Sequence, residues 1–210
     1  MEKYSHIIWD WNGTLFDDVQ WNINCANILR ARRELKPLGD IAEYHDVFCF
    51  PIQKYYENMG FDFAAESYEH LTAEYLELYH AQKSGGCGLH TGAIEVLDYF
   101  YRCGVSQVIL SASEVSNLHS QVSEFDIAHY FDEILGLSNT FAKSKVAVGQ
   151  DYIQRTNISR ALLIGDTVHD YEVATALGVD VLLIANGHQS KDTLLTCNVH
   201  VLDDISCLAK

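Results

Sequence analysis

The chain has 210 residues, a formal net charge of −15, 48% hydrophobic and 20% charged residues, and only 2 Pro. A chain of this size buries about 70% of its unfolded surface and folds without a disulfide or metal staple. The composition excludes disordered, collagen-like and low-complexity chains, and the acidic balance disfavours nucleic-acid backbones and anionic membrane surfaces as partners.

The first apolar run, Ile7-Ile8-Trp9, stops at Asp10, so no signal peptide is expected, and no apolar stretch approaches the length of a membrane span. Six cysteines occur at irregular spacings with no C-x-x-C pair. Free thiols in a reducing, cytoplasmic compartment are the expectation, and a structural zinc site is not.

Strand-length apolar runs lie at His6–Trp9, Gln107–Leu110, Ala161–Ile164 and Val179–Ala185, with a further strand expected at Glu133–Gly136 and an edge strand at Val199–Leu202. Helical patterns separate them. Thr91-Gly92 opens a segment that groups Ile94, Leu97, Phe100 and Tyr101 and is capped by Gly104. Lys145–Arg155 groups Val148, Tyr152 and Ile153, and Val168–Leu177 groups Val173, Ala174 and Leu177 before Gly178. Strands alternating with helices predict right-handed crossovers and a parallel sheet, an α/β fold.

Between Asp18 and Cys87 the pattern is helical, with Ile23, Ala26 and Leu29 early and Leu71, Tyr75, Leu78 and Tyr79 late. Pro37-Leu38-Gly39 and Met59-Gly60 break it, and Ser84-Gly85-Gly86-Cys87-Gly88 closes it as a joint. The expected organisation is a core of residues 1–17 and 88–210 with a helical cap of residues 18–87 inserted after the first strand.

The polar residues that end the apolar runs carry the chemistry. The first run ends in Asp10, the second in Ser111, the third in Gly165-Asp166, and Asp170 follows four residues later. In a parallel sheet these carboxyl ends share one edge, where open α/β folds bind ligands. Three close carboxylates repel one another, and ionising them together calls for a cation. All-oxygen ligation suits a hard ion, Mg²⁺ above others. Asp166 is also well suited to cap a helix, Asp17 and Asp18 read as helix-start acids, and Arg30, Arg32, Arg33 and Lys54 as solvated charges.

Asp10-Trp11-Asn12-Gly13-Thr14, Ser111 after Val108-Ile109-Leu110, and Gly165-Asp166-Thr167-Val168-His169-Asp170 resemble the first, second and fourth motifs of the haloacid dehalogenase superfamily. Motif order and the insertion resemble its phosphoglycolate phosphatase-like branch. The resemblance implies a Rossmann-like core and a Mg²⁺-dependent phosphatase acting on a small phosphorylated metabolite. Asp10 would be the nucleophile, forming an aspartyl phosphate. Asp10, the backbone carbonyl of Asn12, Asp166 and Asp170 would hold Mg²⁺. Ser111, the motif lysine and the backbone at Gly13, Thr14 and Ala112 would bind the phosphoryl oxygens. Lys145, directly before its helix, fits the lysine motif better than Lys143, which suits a K-P-x-P sequence that this chain lacks.

One departure bears on mechanism. Asn12 stands where the family carries a second, acid/base Asp, and an amide exchanges no proton near neutral pH. Turnover is then expected to favour good leaving groups, with His169 or His188 as substitute acids. Asp10-Trp11-x-Gly13-Thr14 also resembles phosphonoacetaldehyde hydrolase, which would require Lys54 to form a Schiff base and so to lie desolvated. From a different class, a non-catalytic protein that binds a phosphorylated metabolite or a partner would retain the fold without turnover.

Overall fold

A computed structural model describes residues 4–81, 87–138, 144–158 and 160–209. Lys143 and the Ser84–Gly86 part of the joint lie outside the described residues.

The core is a parallel sheet of β1 (His6–Trp9), β4 (Ser106–Glu114), β5 (Glu133–Leu137), β6 (Ala161–Gly165), β7 (Asp180–Ile184) and β8 (Val201–Leu202), ordered β5-β4-β1-β6-β7-β8. Its central strand, β1, runs beside β4 and β6, with Trp9 opposite Ile109 and Ile164. This register puts Asp10 level with Leu110 and Gly165. Ser111 and Asp166 each lie one residue further along the same edge.

The central strands are apolar on both sides because helices cover both faces. Ile7, Trp9, Ile109, Ile164 and Ile184 pack toward α5 (Ala93–Arg102) and α6 (Val115–Glu124). Ile8, Val108, Leu110 and Leu163, half a pleat out of phase, pack toward α7 (Lys145–Thr156) and α8 (Val168–Leu177).

Three features differ from the sequence expectation. In α5 the buried stripe is Ala93, Val96, Leu97 and Phe100, whereas Ile94 and Tyr101 are exposed. Ile94 and Tyr101 lie seven residues apart and so share a face, but it is the solvent face. β4 runs on through Ser111 to Glu114, with a register shift against β5 after Leu110 that carries the chain past the site edge. The strands β2 (Phe16–Asp17) and β3 (Gly88–Leu89), too short to give a period, pair antiparallel. They bring the two ends of the insertion together.

The insertion holds α1 (Val19–Arg32), α2 (Ile41–Val47), α3 (Ile52–Asn58) and α4 (Tyr68–Ala81). These enclose a separate apolar cluster that includes Ile23, Leu29, Tyr44, Tyr55, Tyr56, Met59 and Leu71. The breakers expected at Pro37–Gly39 and Met59-Gly60 fall between helices. A short α9 (Lys191–Leu195) precedes β8.

Candidate active site

The loop after β1 turns sharply at Gly13, whose φ is +74°. A Cβ there would lie 2.3 Å from Asp166 Oδ2 and 2.5 Å from the His188 ring, so both the left-handed backbone and the close approach require glycine. Thr14 Oγ1 donates to Asp166 Oδ1 at 2.7 Å and the His188 backbone N–H donates to Asp166 Oδ2 at 2.7 Å. The helix-cap role that Asp166 could have filled belongs to Thr167, whose hydroxyl accepts from the Asp170 N–H while Asp170 Oδ2 accepts from the Thr167 N–H. Asp166 is thereby left to face Asp10.

Asp10, Asp166 and Asp170 are all buried, and each offers an oxygen within 4.8 Å of the others. Lys145, itself only 4% exposed, donates at 2.6 Å to Asp10 Oδ1 and at 2.6 Å to Asp170 Oδ1. Ser144 caps α7 through the Ala147 N–H, which sets Lys145 at the first position of that helix.

Burial and the neighbouring Asp170 push Asp10 up to about 7. Burial, with Asp170 behind it, lifts Asp166 to about 6. Asp170 lies below its ordinary value, because Lys145 and the Thr167 hydroxyl outweigh its burial. Burial would lower Lys145, but the two carboxylates hold it above its ordinary value.

Asp18 completes the cluster. Although it precedes α1, its side chain makes no cap bond and turns back to the site. It accepts from the Gly13 N–H at 3.0 Å, Asn12 Nδ2 at 2.8 Å, Asn22 Nδ2 at 2.8 Å and Tyr79 OH at 2.7 Å. His188 Nε2 lies 3.1 Å from it, and His188 Nδ1 lies 2.7 Å from Tyr44 OH. Burial alone would lower His188, but Asp18 more than offsets it and raises the imidazole to about 9. Asp18 is held below its ordinary value, its burial outweighed chiefly by His188.

Asn12 is fully engaged. Its amide nitrogen donates to Asp18 and, at 2.8 Å, to Tyr79 OH, while its oxygen accepts from Ser113 Oγ at 2.7 Å. Ser111 is buried at the same edge and accepts from the Ser113 N–H at 3.1 Å. Ala112 is exposed beside it. His169 pairs with Glu172 at 3.3 Å and stacks on Phe50 of the insertion.

Lys54 is not brought into this cluster. Its ammonium is 57% exposed and paired with Glu57 at 3.1 Å, so the desolvation a Schiff-base lysine needs is missing. The residues that sequence reasoning assigned no site role are Asp18, Ser113, Tyr44 and Tyr79. Only Asp18, next to the first motif, carried any local signal.

A family model described as "Haloacid dehalogenase-like hydrolase" matches residues 7–184. The chain belongs to this family. It is 24% identical over 199 residues to a phosphoglycolate phosphatase from Caulobacter vibrioides, across 87% of this chain and 79% of that one. A haloacid dehalogenase-like family hydrolase from Streptococcus pneumoniae superposes with a TM-score of 0.78 at 20% identity, covering 97% of this chain and 96% of the other. Protein Tyrosine Kinase A from Mycobacterium tuberculosis superposes with a TM-score of 0.82 at 21% identity, covering 98% and 96%. The fold is thus shared by proteins whose names imply opposite directions of phosphoryl transfer, so the chemistry of this haloacid dehalogenase-like hydrolase has to be argued from its own residues.

Proposed function

We propose that the protein is a Mg²⁺-dependent phosphatase that cleaves a small-molecule phosphate monoester through an aspartyl phosphate on Asp10. The observation that carries this reading is the charge balance around Asp10. Among the described residues, four buried carboxylates, Asp10, Asp18, Asp166 and Asp170, meet the ammonium of Lys145 and the imidazolium of His188 alone. Two negative charges remain in a buried site, which one divalent cation matches. Burial, reinforced by the charge of the neighbouring Asp170, lifts Asp10 and Asp166 toward protonation.

Asp10, Asp166, the carbonyl of Asn12 and Asp170 would hold the ion. When bound, Mg²⁺ would supply positive charge to the transferring phosphoryl oxygens. Lys145 holds the Asp10 carboxylate in one orientation. Ser111 and the backbone N–H groups of Gly13, Thr14 and Ala112 would receive the remaining oxygens, as fixed donors do best in a water-poor site. The division into a core of residues 1–17 and 88–210 and a cap of residues 18–87 belongs to the same reading, with β2 and β3 as the neck. Kinship with the Caulobacter vibrioides relative makes phosphoglycolate the reference substrate to test.

The test is hydrolysis of p-nitrophenyl phosphate with and without Mg²⁺, alongside Asp10→Asn. The expected result is metal-dependent turnover that the variant loses. Turnover retained by Asp10→Asn would overturn the reading. Absent turnover in the unmodified protein would favour the binding-only alternative, to which the amide of Asn12 gives its support. The C–P hydrolase alternative draws none from the solvated Lys54–Glu57 pair.

A further inference from the structure

Within the phosphatase reading, on which this step rests, the structure bears on what leaves the phosphorus. The groups that could replace the family's second Asp as an acid are hydrogen-bonded elsewhere, His169 to Glu172 among them. Asn12 has no proton acidic enough to transfer near neutral pH, and its amide is spent on Asp18 and Tyr79. Tyr79 gives its hydroxyl proton to Asp18. Both ring nitrogens of His188 are engaged, by Asp18 and by Tyr44. Lys145 gives two of its three N–H groups to carboxylates, which hold the ammonium charged and make it a weak acid. A leaving oxygen therefore departs with its electron pair and without a proton from the protein, which suits a weakly basic oxygen.

The insertion adds an independent constraint. Its loop between α2 and α3 lays two rings over the site. Phe48 stacks on His188, with centroids 4.9 Å apart and planes at 21°, and Phe50 stacks on His169 at 4.5 Å and 25°. His188 donates its backbone N–H to Asp166, and His169 directly precedes Asp170 in the chain. The insertion's described cations are occupied elsewhere. Arg30 binds the carbonyls of Lys36 and Met59, and Arg32 and Arg33 bind Glu66 and Glu74. All three sit at the end of α1 remote from Asp18, roughly 18–23 Å along its axis. Lys36 is exposed, and Lys54 pairs with Glu57. A second anionic group on the substrate would find aromatic rings, with the described arginines of the insertion and Lys54 already paired.

We infer that the site takes a small aryl phosphate, the phosphate ester of a phenol, in preference to a phosphorylated hydroxy acid. An Asp10 oxygen bonds to phosphorus as the bond from phosphorus to the phenolic oxygen breaks. The phenolate leaves with the electron pair and takes its proton from water. Water then adds to phosphorus, the bond to Asp10 breaks, and inorganic phosphate and the free carboxylate are released. The missing proton donor acts in the first of these steps, which kcat/KM reports.

The experiment compares kcat/KM for phenyl phosphate, acetyl phosphate, ethyl phosphate and phosphoglycolate at one Mg²⁺ concentration. Phenyl phosphate should exceed ethyl phosphate and phosphoglycolate by roughly 10²- to 10⁴-fold, the usual worth of a general acid. Asn12→Asp should narrow that gap. Phe50→Leu should lower kcat/KM for phenyl phosphate by roughly three- to tenfold and leave acetyl phosphate, a good leaving group without a ring, within about twofold, which also certifies that the variant folds. Phe50→Arg should raise phosphoglycolate relative to phenyl phosphate. Phosphoglycolate turned over as well as phenyl phosphate would overturn the inference and leave the phosphatase standing. Equal losses on phenyl and acetyl phosphate in Phe50→Leu would overturn the aromatic contact. No turnover of any of the four would overturn both readings.

Discussion

Lys145 in the core and Arg33 in the insertion each bridge two carboxylates, and the contrast between them separates the two regions. Lys145 is 4% exposed and joins Asp10, in the loop after β1, to Asp170, in the first turn of α8. Arg33 is 20% exposed and joins Glu66 to Glu74 on the insertion's outer side. Around Lys145 the negative charge is left in excess. Around Arg33 it is met by Arg32 as well, and the cation lies over the Phe61 ring at 5.4 Å. The core concentrates unbalanced charge where a cation and a phosphoryl group would enter, whereas the insertion neutralises its Glu66–Glu74 cluster with Arg32 and Arg33 and presents rings to the site. Buried, unbalanced charge costs stability, and its persistence at one sheet edge is the signature of function rather than of folding.

Removing one cation from each region is the sharpest way to break that contrast. Lys145→Met strands Asp10 and Asp170 in a buried site and should cost about 3–5 kcal/mol, the usual penalty for breaking a buried pair. Arg33→Met should cost about 1 kcal/mol, as for a partly solvated network. Denaturant unfolding measures both. Only Lys145→Met should also abolish hydrolysis of p-nitrophenyl phosphate. Equal stability losses would mean that the core cluster is no more strained than the surface one.

Next in size is the response to Mg²⁺. Asp10 and Asp166 have folded values of about 7 and about 6, above the 3.8 of the unfolded chain. Groups raised in this way stabilise the fold below the unfolded value and lose that contribution as pH rises through the folded one. The metal-free protein should therefore lose stability between about pH 4 and 7. Mg²⁺ should raise the Tm more at pH 8 than at pH 5, where it must displace protons. A Mg²⁺ shift that is independent of pH would argue against these carboxylates as the ion's ligands.

His188 should give a slope of the same sign at higher pH. Its folded value of about 9 lies above the 6.5 of an unperturbed imidazole. Its pairing with Asp18 is worth most below pH 6.5 and is lost as pH rises through 9. Stability should fall by on the order of 1–3 kcal/mol across that window. His188→Gln should flatten the fall, as measured by urea unfolding at pH 6, 7.5 and 9.

The same two regions differ in how legible they were. Asp10, Ser111 and Asp166 stand out because each ends an apolar run, and run endings are local. Lys145 is legible because it begins a helix whose apolar face is plain. By contrast, α6 buries only Leu118 and Val122 among its ten residues, too little for a stripe, and β2 and β3 have two residues each. The partner of Asp18 is 170 residues away in the chain. No periodicity encodes a contact that exists only because the insertion's neck and the loop after β7 fold onto the same sheet edge. Exposed Ile94 and Tyr101 misled for the converse reason. An apolar pair at helical spacing marks a face without saying which side is inward.

The smallest expected effect tests the polar bridge from α4 to the motif loop. Tyr79 OH, on the last turns of α4, donates to Asp18 Oδ2 and lies 2.8 Å from Asn12 Nδ2. Tyr79→Phe keeps the ring that stacks on Tyr75 and removes only that hydroxyl. Asp18 retains the Gly13 N–H, both Asn side chains and His188, so the carboxylate is not left unpaired. The loss should be about 1 kcal/mol of stability, the worth of one hydrogen bond to a charged group with partners to spare. Because Asn12 then keeps Asp18 and Ser113 as its anchors, the motif loop should hold its course and kcat should fall less than about tenfold. A much larger fall in kcat with unchanged stability would move Tyr79 from holding Asn12 in place to acting in the reaction, and would mean that α4 completes the site chemically as well as covering it.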